Sequence, residues 1–371
     1  MEATTNKEVR SNNRKRIVNL LFQNGEMPKQ DIVKKLDMSL ATVNYLVKEL
    51  TEIGLLTTGK ALGSTGGRKP VCIKPVYDAK CSIGVEAAQD IVRIVVLNLG
   101  THIVAEASYA LKQENALEYW ENVGKLIRKF AEENQLAEEK LLDIGITLGM
   151  TMQDESLVLR KASSQELELD LELAKKGLGM PVHFRNSTKM AAVAECWRDN
   201  QVADSDFIFI YLGTKVSGAC VQNKNVMNFA GINGELGCMV TCGNPEIIRI
   251  DTLYSKKELY KKGNCKHTKE FFEQLDNGNS LCVAAWDNYL TELSKFLYNL
   301  LCIFGWKIIL GGSLSPYLKP YIGRIEAQMK ELYPFEYFPE NILSVTTLGE
   351  YGAAAGAAML PIDKFLEEVS E

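Results

Sequence analysis

No stretch of the chain approaches the ~18 consecutive apolar residues that a membrane span needs, and the start, MEATTNKEVRSNNRKR, lacks the apolar run of a secretory signal. A membrane or exported protein is not expected, and the cytoplasm is the expected location. Proline is scarce, with 10 residues in 371, and histidine scarcer at 3. Fibrous and Pro-rich linker architectures are therefore excluded. Cysteine totals nine, scattered singly from Cys72 to Cys302. An odd, dispersed set in so large a chain makes no disulfide framework, so reduced thiols are expected. What remains, 46% hydrophobic and 24% charged residues, is an ordinary globular composition. At roughly 150 residues per domain, the length implies two or three domains.

Charge is divided unevenly. Residues 1–80 hold 14 Lys+Arg against 8 Asp+Glu, net +6, and residues 81–371 hold 28 against 39, net −11. A basic head on an acidic body suggests that the head alone meets a polyanion.

Three helical patterns fill the start: Arg14 to Gln23, Lys29 to Leu36, and Leu40 to Ile53. Ser39 reads as the N-cap of the third, and Val43, Leu46, Val47 and Leu50 follow at helical spacing to form its buried face. The opposite face carries Thr42, Asn44, Tyr45 and Lys48, side chains able to reach base edges or phosphates. The short turn Asp37-Met38-Ser39 suits a helix-turn-helix, in which the third helix enters a major groove. Strand-like Leu55 to Thr58, a Gly-rich loop from Gly59 to Gly67, and Val71 to Ile73 then read as a wing. The wing holds Arg68 and Lys69, placed for a minor groove or phosphate. The alternative is a basic three-helix interaction module with no nucleic-acid role.

From Cys81 onward strands and helices alternate. Strands are expected at Ser82–Val85, Ile91–Leu97, Ile103–Ala107, Leu142–Leu148, Val182–Phe184, Phe207–Leu212 and Lys307–Leu310. Helices are expected at Asn115–Glu133 and Ser187–Trp197. Such an α/β body splits into two lobes with a ligand cleft at the strand ends.

The segments GGRKP (66–70), Ile83-Gly84-Val85-Glu86, PVHFRNSTKMAAVAE (181–195), YLGTKVSG (211–218), GINGELGC (231–238) and ILGGSLS (309–315) occur in one order along the chain. Together they resemble the ROK family of bacterial sugar kinases and sugar-responsive repressors. The resemblance implies an actin-like, RNase-H-like two-lobed fold behind the winged helix-turn-helix. It implies a winged head at 1–75, a first lobe at 76–190 rejoined by a C-terminal helix at 350–371, and a second lobe at 191–349. It also implies a sugar or sugar derivative in the cleft.

The kinases of that family carry an Asn-Asp pair whose carboxylate is the general base; here the pair is Asn186-Ser187. A serine hydroxyl is not basic near neutral pH, and losing the base costs ~10²–10⁴-fold in rate. The phosphate-binding turns also depart from the family, reading Glu86-Ala87-Ala88-Gln89-Asp90 and Gly213-Thr214-Lys215-Val216-Ser217-Gly218. No kinase activity is expected.

Sugar contacts are implied at Asn186 and Glu235, with Gly149, Lys189 and Asp251 as further effector-site candidates. Asn186 reads equally as a helix cap, and Glu235 as a carboxylate at a helix start. Lys189 either pairs with Glu235 or signals an anionic ligand. The family's zinc set is reduced to Cys238 and Cys242, with Cys265 and His267 far along the loop, so no metal or other cofactor is expected. The implied protein is a sugar-sensing repressor that binds operator DNA as a homodimer or higher homo-oligomer. A working kinase with a DNA-binding head, or a body that only dimerises or binds a protein partner, are the alternatives.

Overall fold

The computed structural model describes residues 6–61, 71–114, 116–149, 170–198, 206–227, 234–242 and 247–370. Arg68 and Lys69 of the expected wing lie outside them.

The head comprises α1 (Asn6–Asn24), β1 (Met27–Pro28), α2 (Lys29–Leu36), α3 (Leu40–Glu52), β2 (Leu56–Ala61) and β3 (Val71–Pro75). Its strands pair antiparallel in the order β1-β3-β2. The second helix has the bounds its periodicity predicts, and the third stops one residue early at its cap, Ile53. The first begins at Asn6 rather than Arg14. Its extra turns have no apolar stripe to betray them; tertiary contacts hold them, since Arg10 reaches Glu49 and lies 5.2 Å from the centre of the Tyr45 ring. Asp37 takes the left-handed φ of 51° that closes α2 and turns the chain into α3. On the other side, β2 continues through Gly59 to Ala61, where the sequence suggests loop.

The first lobe contains β4 (Cys81–Ala87), β5 (Ile91–Asn98), β6 (Ile103–Ala110), α4 (Leu117–Glu133), β7 (Ile144–Leu148), α5 (Leu171–Leu178) and β8 (Val182–Asn186). Then α6 (Ser187–Arg198) leads to β9 (Phe207–Leu212), β10 (Val216–Gln222) and β11 (Asn225–Val226). A small hairpin follows, β12 (Val240–Cys242) with β13 (Ile247–Arg249), and then α7 (Ile250–Tyr254), α8 (Lys256–Gly263), α9 (Thr268–Asp276) and α10 (Ser280–Phe304). The chain closes with β14 (Lys307–Gly311), α11 (Ser315–Leu318), α12 (Ile322–Leu332), β15 (Leu343–Val345) and α13 (Gly352–Glu368).

The two large sheets repeat one topology. The first runs β6-β5-β4-β7-β8 and the second β11-β10-β9-β14-β15. In each, an antiparallel meander is extended by two parallel strands. The inner strands are buried along nearly their whole length, as strands covered on both faces must be.

Two helices rich in small residues cross between the sheets. Helix α6 leaves the first sheet at β8 and runs unbroken past residue 190 to the second sheet, while α13 returns from the second sheet to lie across β4 and β7. A Cβ on Gly356 would collide with the Met190 carbonyl, one on Gly84 with Ala354, and one on Gly145 with the Ala357 carbonyl. Pro361, having no N–H, leaves that Ala357 carbonyl without its helical donor.

The head is not a free appendage. Buried side chains of α1, α2 and α3, among them Ile17, Leu21 and Leu46, form one continuous cluster with Leu97, Leu99, Ile362 and Leu366 of the body. Tyr77 sits edge-on between Phe22 and His102, with ring centres 5.7 and 5.3 Å away. Lys15 reaches Glu367 at 2.6 Å.

Overpacking a core typically costs ~1–3 kcal/mol, and a clash with backbone carbonyl belongs at or above the top of that range. Gly356→Ala is therefore expected to lower the urea midpoint sharply. Gly323→Ala, at an exposed position in α12 where a Cβ meets nothing, is expected to add ~0.4–1 kcal/mol.

Candidate nucleic-acid interface and ligand cleft

At the head of α3, Ser39 Oγ accepts the Thr42 amide at 3.1 Å and lies 2.9 Å from the Thr42 hydroxyl. These two residues close the helix N-terminus, so the cap read from the sequence is formed and the Thr42 hydroxyl shares in it. Val43, Leu46, Val47 and Leu50 are buried on the inner face. Asn44, Tyr45 and Lys48 lie on the outer face, with half of Tyr45 and 77% of the Lys48 side chain exposed. Among the described residues Lys48 pairs with Glu52 at 3.7 Å, a surface pair of little strength.

Two neighbours that the sequence did not single out set this face. Lys29 Nζ donates to Asn44 Oδ1 at 2.8 Å. Glu49, one turn below Tyr45, receives Arg10 and has Arg14 at 3.7 Å, which fixes α3 against α1.

In the body, β8 ends at Asn186, paired in register with Leu148, so Gly149 follows directly beside it. Asn186 Oδ1 accepts the Lys189 amide at 3.0 Å, making Asn186 the cap of α6 as well as a candidate ligand contact. Ser187, the first residue of α6, is buried. Burial lowers the Lys189 pKa. The Thr188 and Ser217 hydroxyls, 2.5 Å apart, join α6 to β10. The next residue, Gly218, donates its amide to the Gly234 carbonyl at 2.6 Å, and Glu235 follows. The rim of the first sheet is thereby linked to the Gly-Glu-Leu-Gly turn of the second.

Asp251, in the first turn of α7, packs against the same turn. Its Oδ1 accepts the Val216 amide at 2.6 Å, and its carboxylate packs against Gly237, so it braces the loop. Burial, with the charges of Glu235 and Asp251, pushes the Cys238 thiol up. His267 Nδ1 caps α9 by accepting the Glu270 amide at 3.2 Å. Cys265 and Cys282 hold their sulfurs 3.8 Å apart. Among the described residues no His, Cys, Asp and Glu side chains gather into a group of metal-binding size.

The floor between the lobes holds a polar cluster that spacing alone does not reveal. Arg93 Nη1 donates to Glu86 Oε2 at 3.0 Å and Nη2 to Glu350 Oε2 at 2.7 Å. Tyr211, from the second sheet, donates its hydroxyl to Glu86 Oε1 at 2.8 Å. Burial and the adjacent Glu86 charge push the Tyr211 pKa well above the usual phenol range. Burial alone would lower the Arg93 pKa, but Glu86, Tyr211 and Glu350 outweigh it and hold the guanidinium charged. Burial lowers the pKa of Lys256, at the start of α8, and the nearby Arg93 charge adds to the effect. Glu86, which opens one of the turns that depart from the family, is buried and spent on Arg93 and Tyr211.

Residues 10–57 match the winged helix-turn-helix DNA-binding family, and residues 82–364 match the ROK family. The chain is 21% identical over 379 residues to the xylose repressor of Bacillus subtilis (strain 168), covering 98% of both. It is 24% identical over 225 residues to the xylose repressor of Caldicellulosiruptor bescii, a match covering 60% of this chain and 56% of that repressor, little more than half its length. In structure it resembles a ROK family transcriptional regulator, a homolog of the E. coli MLC protein, with a TM-score of 0.72, 16% identity and 98% coverage of both chains. A ROK family glucokinase from Streptomyces griseus, solved with glucose and AMPPNP, aligns with a TM-score of 0.63 and 17% identity over 76% of this chain and 98% of the kinase. The repeated sheets, the crossed helices and the family match over most of the body agree: this chain belongs to the ROK family.

Proposed function

We propose that the protein is a sugar-responsive DNA-binding repressor whose body senses a sugar or sugar derivative without phosphorylating it. The observation that carries this reading is the outward face of α3, with Asn44, Tyr45 and Lys48 set for a major groove, on a head whose core is continuous with a ROK body. The xylose repressors named above support a sugar as the effector class. Arg68 and Lys69 complete the proposed DNA contacts from the wing, and a two-fold homodimer presents two heads to successive half-sites.

The absence of phosphoryl transfer is part of the proposal. Ser187 supplies no base, and the Glu86 carboxylate near the end of β4 is tied up by Arg93 and Tyr211. Asn186 and Glu235 are proposed to hold effector hydroxyls, with Gly149 leaving room beside Asn186 and Lys189 and Asp251 shaping the rim. Lobe movement on binding reaches the head through α13, whose first turn follows Glu350 and whose last carries Glu367 against Lys15. A coupling of ~1–3 kcal/mol between effector and operator is the usual size.

Operator affinity of the full chain is expected to fall linearly in log–log form with salt, and Lys48→Ala to reduce that slope by about one contact. A salt-insensitive interaction would refute the DNA reading. A thermal-shift screen of pentoses, hexoses and amino sugars is expected to find a stabilising ligand, with Glu235→Ala abolishing both that shift and effector release of DNA while basal operator affinity persists. ATP-dependent turnover of such a sugar in a coupled assay, above that of Ser187→Ala, would establish a kinase instead. Arg93→Met, which strands Glu86 as a buried charge, is expected to cost ~3–5 kcal/mol in urea unfolding. Tyr211→Phe removes a single bond to a charged group and is expected to cost ~1.5–3 kcal/mol.

A further inference from the structure

Asn44 cannot meet a base with both ends of its amide equally available. The Lys29 ammonium, 2.8 Å away, has three donors and no acceptor, so the amide atom facing it is the oxygen. The contact is anchored at both ends. Lys29 opens α2 directly after Pro28, whose strand pairs with Cys72, and Ile32 seats that helix in the core. Asn44 lies on α3 between the buried Val43 and Leu46. A cation in the first turn of a helix is disfavoured by the helix dipole, so helix stability does not account for a lysine there. Among the described residues no ion pair draws its ammonium elsewhere.

The two purines differ at the edges they show in the major groove. Adenine presents a donor, N6–H₂, beside the N7 acceptor, and an asparagine reads it by accepting with Oδ1 while donating with Nδ2. Guanine presents two acceptors, O6 and N7. With one Oδ1 lone pair taken by Lys29, the pair presents one remaining acceptor lone pair against a larger set of donors, the Nδ2 protons of Asn44 and the remaining ammonium protons of Lys29.

Resting on the DNA-binding reading above, we propose that Lys29 is a specificity-determining residue. By holding Asn44 Oδ1 it weights the pair toward donation, which selects guanine over adenine at the base pair that Asn44 faces. Lys29 acts as a positioning residue for Asn44 and contributes a donor of its own to the same edge.

The test is selection of bound duplexes from a randomised pool by the full-length wild type, Asn44→Ala, Lys29→Met and Lys29→Arg. The position whose preference collapses in Asn44→Ala identifies the base pair read. Wild type is expected to select guanine there, Lys29→Met to move the guanine-to-adenine ratio about tenfold toward adenine, and Lys29→Arg, which keeps a cationic donor, to retain guanine. Three results would overturn the inference: adenine preferred by wild type, guanine preference unchanged in Lys29→Met, or a uniform loss of affinity in Lys29→Met with the ratio intact, as a phosphate contact gives. Failure of wild type to enrich any sequence would remove the DNA-binding reading itself, a result distinct from all three.

Discussion

Where α13 crosses β4 and β7, Gly84 and Gly145 remove the side chains that would hold the helix off the sheet, and backbone meets backbone. The seat is unusually specific, because no other residue fits at either glycine without moving a carbonyl. It also fixes both ends of the helix. Seventeen residues at about 1.5 Å each make a rod roughly 25 Å long. One end follows Glu350 at the interlobe cluster, and the other lies on α1 of the head. The helix therefore links the interlobe cluster to the head, which is the route the proposed coupling takes.

The interlobe cluster complements that seat. A buried ion pair contributes little net stability, since desolvation offsets most of the attraction. Its value is geometric: Glu86 has one oxygen on Arg93 and the other on Tyr211, and Arg93 divides its two terminal nitrogens between Glu86 and Glu350. Three parts of the chain therefore meet in one orientation, namely the first sheet, the second sheet and the turn into α13. An apolar patch of equal area would tolerate several lobe angles, because dispersion and hydrophobic contact are not directional. The Arg93 Nε has no partner in this cluster.

The parts legible in the sequence were those written locally. Helix α2 and strand β9 have the bounds their apolar pattern predicts, and Ser39 caps α3 as its residue type implies. Partners far apart in the chain left no such trace. Glu350 is 257 residues from Arg93, and Tyr211 is 125 from Glu86; no periodicity connects them. The early start of α1 was hidden for the same reason, because Arg10 is fixed by Glu49 across the fold, not by a stripe within its own helix. Basic composition marked the head as a unit, yet its core runs on into Leu97 and Leu366 of the body, and composition says nothing about contacts across a boundary. Lys29 counted only as one more positive charge until its distance from Asn44 gave it a direction.

Asn186 shows why capping and ligand contact need not compete. Its Oδ1 accepts the Lys189 amide. A sugar hydroxyl both donates and accepts, so a donor amide is enough to recognise it. Neither that amide nor the buried Ser187 hydroxyl beside it can take a proton from the sugar near neutral pH. In the proposed reading, the start of α6 thus carries recognition at Asn186 and no general base at Ser187. Near the end of β4 the Glu86 carboxylate is likewise committed, to Arg93 and Tyr211. In a kinase these two places must bind and react. In the proposed receptor they hold hydrogen bonds instead.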